Sequence, residues 1–305
     1  MNATIETQSL SKWFGEVVAL NRLDIDIGPG VTGLLGPNGA GKTTFLRIAL
    51  GLSRPSRGSV RVFGQNPRGN LEALRRTGYC PDSQYFYDHM TGFEFVYWLS
   101  RYWGSDRGSA RKVATEMCEL VRMQDRMHDK ITTYSQGMRQ RINLAQALAN
   151  DPELLYLDEP MAGLDPESRE LTFALIQRLG HEGRTVLVSS HILHEIERVT
   201  DNVVLLHNGS VLAHGGIRHI RELIDEHPHA VTVECSTPRK LADCFVTDGS
   251  TLSVDFTDGK VTIRTSDPNG FYRKLNELVV GGTVTVSSMS CPDDDLQSVF
   301  DYLVG

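Results

Sequence analysis

The sequence predicts an α/β fold with a largely parallel sheet, followed by a small α+β domain. Up to about residue 222, short aliphatic runs alternate with longer amphipathic stretches, which is typical of βα units. After about residue 225, the pattern changes to strands of alternating apolar and polar residues. A chain of 305 residues with 40% hydrophobic content has room for one large and one smaller domain. We therefore expect domains at 1–224 and 225–305.

The predicted strands of the large domain are aliphatic and bounded by polar residues or glycine, as expected of strands buried on both faces of a parallel sheet. They span 30–36, 153–160, 185–191 and 202–209. Helical spacing predicts helices at 43–51, 110–123, 136–149 and 167–180. In the small domain we expect strands at 229–236, 251–266 and 282–289, with helices near 238–245, 268–279 and 293–303. The Asp-Gly pair within 257–260 favours a tight hairpin turn.

Composition argues against several classes of protein. With 31 Lys and Arg against 38 Asp and Glu, the net charge is −7, so we expect no nucleic-acid partner. The five cysteines are widely spaced and form no CxxC pair, which predicts reduced thiols in cytosol rather than disulfides or a zinc site. The N-terminus lacks a signal-peptide pattern, and no stretch approaches the roughly 20 apolar residues of a membrane span. We expect a chain that does not cross a bilayer by itself.

The stretch LLGPNGAGKTTFL at 34–46 has the spacing G-x-x-x-x-G-K-[ST]. Between a strand and a helix, such a loop turns its backbone N–H groups around phosphate oxygens, and the helix dipole favours the same anion. Lys42 would reach the β and γ phosphates, and the Thr43 hydroxyl would ligate Mg²⁺. A glycine-rich turn that only caps a helix is the alternative. The predicted phosphate-binding residues are Gly36, Pro37, Asn38, Gly39, Ala40, Gly41, Lys42, Thr43 and Thr44.

Two further features are typical of a nucleotide site. Asp158 and Glu159 follow the strand in LLYLDEP, at the edge of the sheet where α/β proteins build their sites. Asp158 is suited to hold Mg²⁺ through its water shell and Glu159 to orient or deprotonate water. The alternative is an ordinary polar strand end with no catalytic role. Ser135 and Gly137 open the helix at 136–149 and make its N-terminus fit for an anion. Taken alone, Ser135 is more often an ordinary helix cap.

The order of five motifs resembles the ATP-binding subunit of an ABC transporter. They are a Walker A loop at GPNGAGKT, a signature at YSQGMRQR, a Walker B strand at LLYLDEP, a D-loop at AGLDP and a switch histidine in VSSH, across roughly residues 4–215. The resemblance implies a P-loop NTPase core, a helical subdomain at about 85–150 and an antiparallel β subdomain. It also implies a dimer with a second copy or a homologous subunit, in which Ser135 and Gly137 contact the γ phosphate of ATP in trans. Gln136 stands where the family usually has glycine, which resembles the branch that exports drugs and polysaccharides.

The resemblance assigns roles to further residues. Phe14 falls where the family places an aromatic ring that stacks on adenine, with Trp13 as the competing candidate. Asp165 would lie across the dimer seam and align the two sites. His191 would reach the γ phosphate and Glu159, and so act in catalysis with Lys42 and Glu159.

One position departs from the family. The family has glutamine directly after the proline of GYCPDSQ, as a Mg²⁺ ligand and a link to the membrane partner, and this sequence has Asp82 there. A carboxylate keeps the oxygen ligand that a hard cation accepts, so we expect Asp82 to bind the metal. A loop that presents Gln84 instead is the alternative.

The aromatic segment 85–103 follows this position. We expect most of its rings to form the core of the helical subdomain and some to form a groove for an integral-membrane permease subunit. The implied function is an ATPase, using ATP and Mg²⁺, that powers export through dimer closure at the cytoplasmic face of the cell membrane. A soluble ABC-type ATPase acting on DNA or ribosomes is the alternative, although the sequence has no coiled-coil insertion or second cassette. A small-molecule kinase would leave the signature helix unexplained.

Overall fold

The computed structural model describes residues 3–83, 85–87, 89–216, 229–257 and 260–290. The chain divides into two compact units, Met1–Ile217 and Arg218–Gly305. The predicted boundary after residue 224, the alternative ligand Gln84, the turn residues 258 and 259 and the predicted helix at 293–303 lie outside the described residues and stay predictions. Within the described ranges, no helix is both long enough and apolar enough to cross a membrane.

The described strands of the first unit form two sheets. The strands are β1 (Ile5–Phe14), β2 (Val17–Leu23), β3 (Asp26–Ile27), β4 (Gly30–Leu35), β5 (Arg57–Val62), β6 (Thr77–Cys80), β7 (Leu154–Asp158), β8 (Thr185–Ser190), β9 (Asn202–His207) and β10 (Ser210–Gly216). One sheet has six strands in the order β10-β9-β4-β8-β7-β6 and is parallel except for the β9–β10 pair. The other is antiparallel, with β1 paired to β2, β3 and β5. These are the predicted parallel core and antiparallel β subdomain.

Five of the seven described helices of this unit begin after a capping side chain. They are α1 (Lys42–Ala49), α2 (Leu71–Arg75), α3 (Gly92–Tyr102), α4 (Arg107–Leu120), α5 (Gln136–Leu148), α6 (Pro166–His181) and α7 (Leu193–Glu197), with a 3₁₀ turn at Ile131–Thr133. Helix α4 starts three residues before the predicted position, because the Asp106 carboxylate accepts hydrogen bonds from the backbone N–H groups of Gly108 and Ser109. The apolar spacing does not report this cap.

The register of the parallel sheet brings four strand ends together. Ser189 in β8 pairs with Asp158 in β7, and Ser190 pairs with Leu35 at the end of β4. Cys80, which ends β6, pairs with Leu157. The segments that follow β4, β6, β7 and β8 therefore emerge at the same edge. A core of aliphatic residues and the rings of Phe45 and Tyr156 supports this sheet from the side of α1.

Helices α3, α4 and α5 pack on one another and form the helical subdomain. The expectation that most aromatic rings of 85–103 form its core is wrong: Tyr85, Tyr87, Trp98 and Tyr102 are exposed and the other described rings are half-buried. The buried positions of α3 are the small residues Gly92, Val96 and Ser100. At Gly92 the close approach of the Tyr134 side chain explains the small residue, since a Cβ there would lie 2.6 Å from the Tyr134 hydroxyl.

The second unit has a βαββαβ arrangement. Its elements are β11 (His229–Cys235), α8 (Pro238–Val246), β12 (Thr251–Thr257), β13 (Lys260–Thr265), α9 (Pro268–Val280) and β14 (Val286–Ser290). The strands form an antiparallel sheet in the order β12-β13-β11-β14. Alternate residues of β11 and β13 pack with the Phe245 and Phe271 rings into a separate core. The predicted strands and both described helices are present, and β14 begins later than predicted.

Candidate nucleotide-binding site

The loop between β4 and α1 wraps around the ammonium group of Lys42. Lys42 Nζ donates to the carbonyl oxygen of Gly36 at 2.5 Å and lies 3.4 Å from that of Pro37. The loop needs glycine at its ends. A Cβ on Gly36 would clash with the carbonyl oxygen of Leu206, and Gly41 has φ +106°, where other residues are strained.

The N-terminus of α1 has no side-chain cap. Its N-cap residue is Gly41, so the N–H groups of the first turn receive no capping acceptor. The neighbouring helices α2 to α6 are each capped by a polar side chain. Free N–H groups and the positive end of the helix dipole make this terminus suited to a phosphate.

The two acids after β7 are held in different ways. Asp158 is 1% exposed and accepts hydrogen bonds at both oxygens, from Ser189 Oγ at 2.6 Å and from Thr43 Oγ1 at 2.9 Å. Burial raises the pKa of Asp158 and the nearby charge of Asp82 raises it further, while the hydrogen bonds from Ser189 and Thr43 lower it. Asp158 is therefore a fixed carboxylate next to the Thr43 hydroxyl in the first turn of α1.

Glu159 lies between two basic side chains. Its Oε1 is 3.2 Å from Lys42 Nζ and its Oε2 is 3.0 Å from His191 Nδ1. The Lys42 and Glu159 side chains are 7% and 15% exposed, whereas His191 is 45% exposed. The backbone of Glu159 has φ +49°, which is uncommon for a residue with a Cβ and is typical of functional sites. Three predicted catalytic residues thus meet in direct contact.

A pocket of about 270 Å³ opens beside the loop. Its lining combines the loop with Asp82, Glu159 and the start of β2, and consists of Val17, Val18, Ala19, 37–44, Asp82 and Glu159. Asp82 is thus on the same pocket as Thr43, at the position where a metal ligand was predicted. Val17, Val18 and Ala19 were missed, because three small aliphatic residues in a strand resemble ordinary sheet.

The two candidates for adenine stacking differ in their surroundings. Phe14 is 56% exposed, and Lys12 Nζ lies 4.8 Å from its ring centre. Trp13 is half-buried and lies under the guanidinium of Arg57 at 5.6 Å. Phe14 pairs with Val17 across the hairpin but is outside the set of described residues that line the pocket. Of the two rings, Phe14 has the more accessible face.

The signature and D-loop residues lie together but apart from this pocket. Ser135 caps α5 and accepts a hydrogen bond from Met138 N–H at 3.3 Å. A Cβ on Gly137 would lie 3.5 Å from Asp165 Oδ2. Asp165 caps α6 through Ser168, whose hydroxyl hydrogen bond lowers the pKa of Asp165. None of Ser135, Gly137 and Asp165 is among the described residues that line the pocket.

Helix α5 is tied to the pocket edge by three amide side chains that sequence reasoning missed. Each donates to a backbone carbonyl: Gln140 to Pro160 at 3.2 Å, Asn143 to Pro81 at 2.8 Å and Gln146 to Tyr79 at 2.7 Å. The signal is a run of amides three residues apart on a helix face that is otherwise apolar. Through these bonds the signature helix is attached to the segments that carry Asp82 and Glu159.

The donor set fits Mg²⁺. The Thr43 hydroxyl and the Asp158 carboxylate are hard oxygen donors in contact with each other, and Asp82 lines the adjoining pocket. Among the described residues, no group of three His, Cys, Asp or Glu side chains could hold a metal by itself. Mg²⁺ at such sites takes one or two protein ligands and completes its shell with water and phosphate oxygens.

The sequence matches known proteins over the same region. The family model "ABC transporter" matches residues 20–162. The bacitracin transport ATP-binding protein BcrA of Enterococcus faecalis is 31% identical, over 100% of this chain and 97% of that protein. The Nod factor export ATP-binding protein I of Cupriavidus metallidurans is 34% identical over 77% of each chain. An uncharacterized ABC transporter ATP-binding protein of Synechocystis, sll0415, is 38% identical over 71% of this chain. The matched region spans 64% of that relative's length.

Solved structures of ABC transporter ATP-binding chains match the same part of this chain. The structure of an ATP-binding subunit of an ABC transporter matches with TM-score 0.66 and 27% identity, over 72% of this chain and 93% of that one. The dimeric ABC transporter cassette MJ0796 matches with TM-score 0.65 and 25% identity, over 70% of this chain and 99% of that one. The predicted fold, the ATPase class and the resemblance to the export-like branch are thereby confirmed. The chain belongs to the family of ABC transporter ATP-binding proteins.

Proposed function

We propose that this ATPase powers an exporter by closing a dimer of ATP-binding subunits on two ATP molecules. The observation that supports the site is the contact of Lys42 and His191 with the two oxygens of Glu159, beside a loop built for phosphate. The names of relatives, bacitracin transport and Nod factor export, support export as the direction. The chain would act at the cytoplasmic face of the membrane, bound to a permease subunit.

Each site residue then has a chemical task. Lys42 binds the β and γ phosphates and neutralises charge that develops on them. Thr43, Asp158 and Asp82 would hold Mg²⁺, which neutralises phosphate charge when bound. Glu159 orients a water molecule and takes its proton, and His191 keeps the Glu159 carboxylate aimed at that water. Catalysis by these groups is positioning and electrostatics.

The second half of the site would come from the partner subunit. Ser135, Gly137 and Asp165 cluster on the same chain but do not line the pocket, so they would complete the site of the other subunit. The Ser135 hydroxyl and the N-terminus of α5 would bind the γ phosphate in trans. We assign residues 1–224 to this ATP-binding domain and 225–305 to an accessory domain.

Mixed dimers test the shared site. Lys42→Ala removes the phosphate-binding lysine, and Ser135→Arg blocks the signature helix. Each variant alone has two defective sites, whereas a mixture of the two forms heterodimers with one intact site. We expect each variant to be inactive and the mixture to regain ATP hydrolysis, measured as phosphate release. A mixture as inactive as its components would contradict a site built from two subunits.

A second surface suits the membrane partner. A groove of about 330 Å³ lies between the parallel sheet and the helical subdomain, lined by Tyr85, Phe95, Leu99 and Trp103 with Pro81 at its edge. The exposed Tyr85 ring and the half-buried rings of Phe95 and Trp103 would suit a short apolar helix of a permease that packs here. Asn143 and Gln146 also line the groove and contact the Asp82 segment, so docking is linked to the nucleotide pocket.

Two tyrosines provide a matched test of this groove. Tyr85 and Tyr102 are 85% and 82% exposed, but only Tyr85 lines the groove. We expect Tyr85→Ala to reduce the amount of membrane protein that co-purifies after detergent extraction, and Tyr102→Ala to leave it unchanged. Equal loss with both variants would place the partner elsewhere. Co-sedimentation with ribosomes or DNA instead of a membrane protein would refute transport.

A further inference from the structure

Ser189 is the buried hydroxyl that contacts both acids of the site. It lies in β8, is fully buried, and its register partner is Asp158. Its Oγ donates to Asp158 Oδ1 at 2.6 Å and accepts the backbone N–H of Glu159 at 2.9 Å. One side chain thus fixes the carboxylate of the first acid and the backbone of the second.

The direction of these two bonds is determined by chemistry. A serine hydroxyl has one proton and two lone pairs, and the Glu159 N–H can only donate. The hydroxyl proton is therefore directed to Asp158, and its 2.6 Å distance is that of a charge-assisted bond to a carboxylate. The arrangement leaves Ser189 no alternative orientation that satisfies all three groups.

The backbone of Glu159 needs such support. Its φ of +49° is disfavoured for a residue with a Cβ, so its surroundings must maintain it. The N–H of Glu159 is held by Ser189, and its carbonyl oxygen accepts the Ala162 N–H at 3.1 Å. This backbone directs the carboxylate between Lys42 and His191. His191 directly follows β8, so one strand end holds Glu159 by backbone and by side chain.

We propose that Ser189 is a positioning residue for ATP hydrolysis, which sets the direction of the Asp158 carboxylate and the left-handed backbone of Glu159. The inference rests on the proposed roles of these acids in hydrolysis. Ser189 touches neither nucleotide phosphates nor the attacking water in this role; it acts through its two neighbours. Loss of the hydroxyl leaves the loop and Lys42 intact, so turnover changes more than ATP binding does.

The kinetic test uses Ser189→Ala, with Thr185→Val as its control. Thr185 lies in the same strand, is 3% exposed, and its hydroxyl is bonded to Thr4 Oγ1 at 2.8 Å, at the other end of the sheet. We expect kcat of Ser189→Ala to fall about 10- to 100-fold, the usual effect of losing a group that orients a catalytic or metal-binding side chain. KM for ATP should change less than about 3-fold. Ser189→Thr, which keeps the hydroxyl, should recover most of kcat, and Thr185→Val should resemble wild type.

The second measurement needs no nucleotide. Hydrogen exchange of the Glu159 amide should be at least about tenfold faster in Ser189→Ala than in wild type or Thr185→Val, because its acceptor is lost. Unchanged exchange at Glu159, with or without a loss of kcat, would overturn the positioning role, as would wild-type kcat. If wild-type protein hydrolyses no ATP, the proposed function fails, and exchange at Glu159 still decides whether Ser189 holds this backbone.

Discussion

Replacing Glu159 by glutamine should separate ATP binding from ATP hydrolysis. The amide keeps the size of the side chain and its hydrogen-bonding reach, but it can neither accept the proton of water nor attract Lys42 as a charge. General-base assistance contributes about 10²- to 10⁴-fold. We therefore expect kcat to fall by that range, which corresponds to about 3 to 5 kcal/mol in activation free energy.

The same substitution should strengthen ATP binding. In the nucleotide-free chain, Lys42 Nζ is 3.2 Å from Glu159 Oε1, and ATP must compete for this ammonium. The gross Coulomb attraction at that distance is about 5 kcal/mol for an effective dielectric constant of about 20. Desolvation and side-chain entropy cancel most of it, and a net value of about 1 kcal/mol gives roughly fivefold tighter binding to Glu159→Gln.

The assay measures ATP binding by titration calorimetry and turnover by phosphate release. Glu153→Gln is the control. Glu153 directly precedes β7, the strand that Glu159 follows, and it pairs with Arg76 at 2.7 Å outside the pocket. It should match wild type in both measurements. Turnover of Glu159→Gln within a few-fold of wild type would remove Glu159 from the role of base. Weaker ATP binding would show that Glu159 does not compete with ATP for the Lys42 ammonium.

Three further predictions concern particular side chains. The Tyr156 hydroxyl is buried without a hydrogen-bond partner in the described part of the chain, so Tyr156→Phe should raise the free energy of unfolding by about 1 kcal/mol in urea denaturation. Asp82→Ala should raise the Mg²⁺ concentration for half-maximal hydrolysis about tenfold, and Asp82→Asn, which keeps an oxygen ligand, by less. Hydrogen bonds from Lys274 and then Ser250 lower the pKa of Asp248 to about 2, so the stabilisation from this carboxylate is present above the unfolded pKa of 3.8 and is lost as pH falls towards 2. The difference in melting temperature between wild type and Asp248→Asn should therefore shrink from pH 5 to pH 2.

The sequence could predict the parallel core because its strands are continuous aliphatic runs, and the ends of parallel strands meet at one edge. That rule placed Asp158 and Glu159 beside the loop at 36–44, and the resemblance to ABC transporter subunits added His191. For α3, the apolar pattern of the sequence led to a wrong expectation. Its rings looked like a core, yet the contact face consists of Gly92, Val96 and Ser100, since apolarity does not distinguish a core from a surface that a partner covers.

The sequence could not predict contacts between residues that are far apart in the chain. Ser189 looked like one more residue of a buried strand, and only the register that places it opposite Asp158 gives its hydroxyl two partners. The amides of α5 show the same limitation. Gln140 and Asn143 could be recognised as polar residues on a buried helix face, but their acceptors are carbonyl groups of other segments, which no spacing reveals.

The two interpretations of Ser135, an ordinary helix cap and a phosphate ligand in trans, are compatible. As a cap, its hydroxyl uses one lone pair to accept the Met138 N–H. The hydroxyl proton has no acceptor among the described residues, so it is available to an anion that approaches the N-terminus of α5. The cap thus fixes the oxygen and leaves the proton to donate. The same serine can stabilise its own helix in the free subunit and bind a phosphate oxygen of the partner's ATP after closure, with no change in its helix contact.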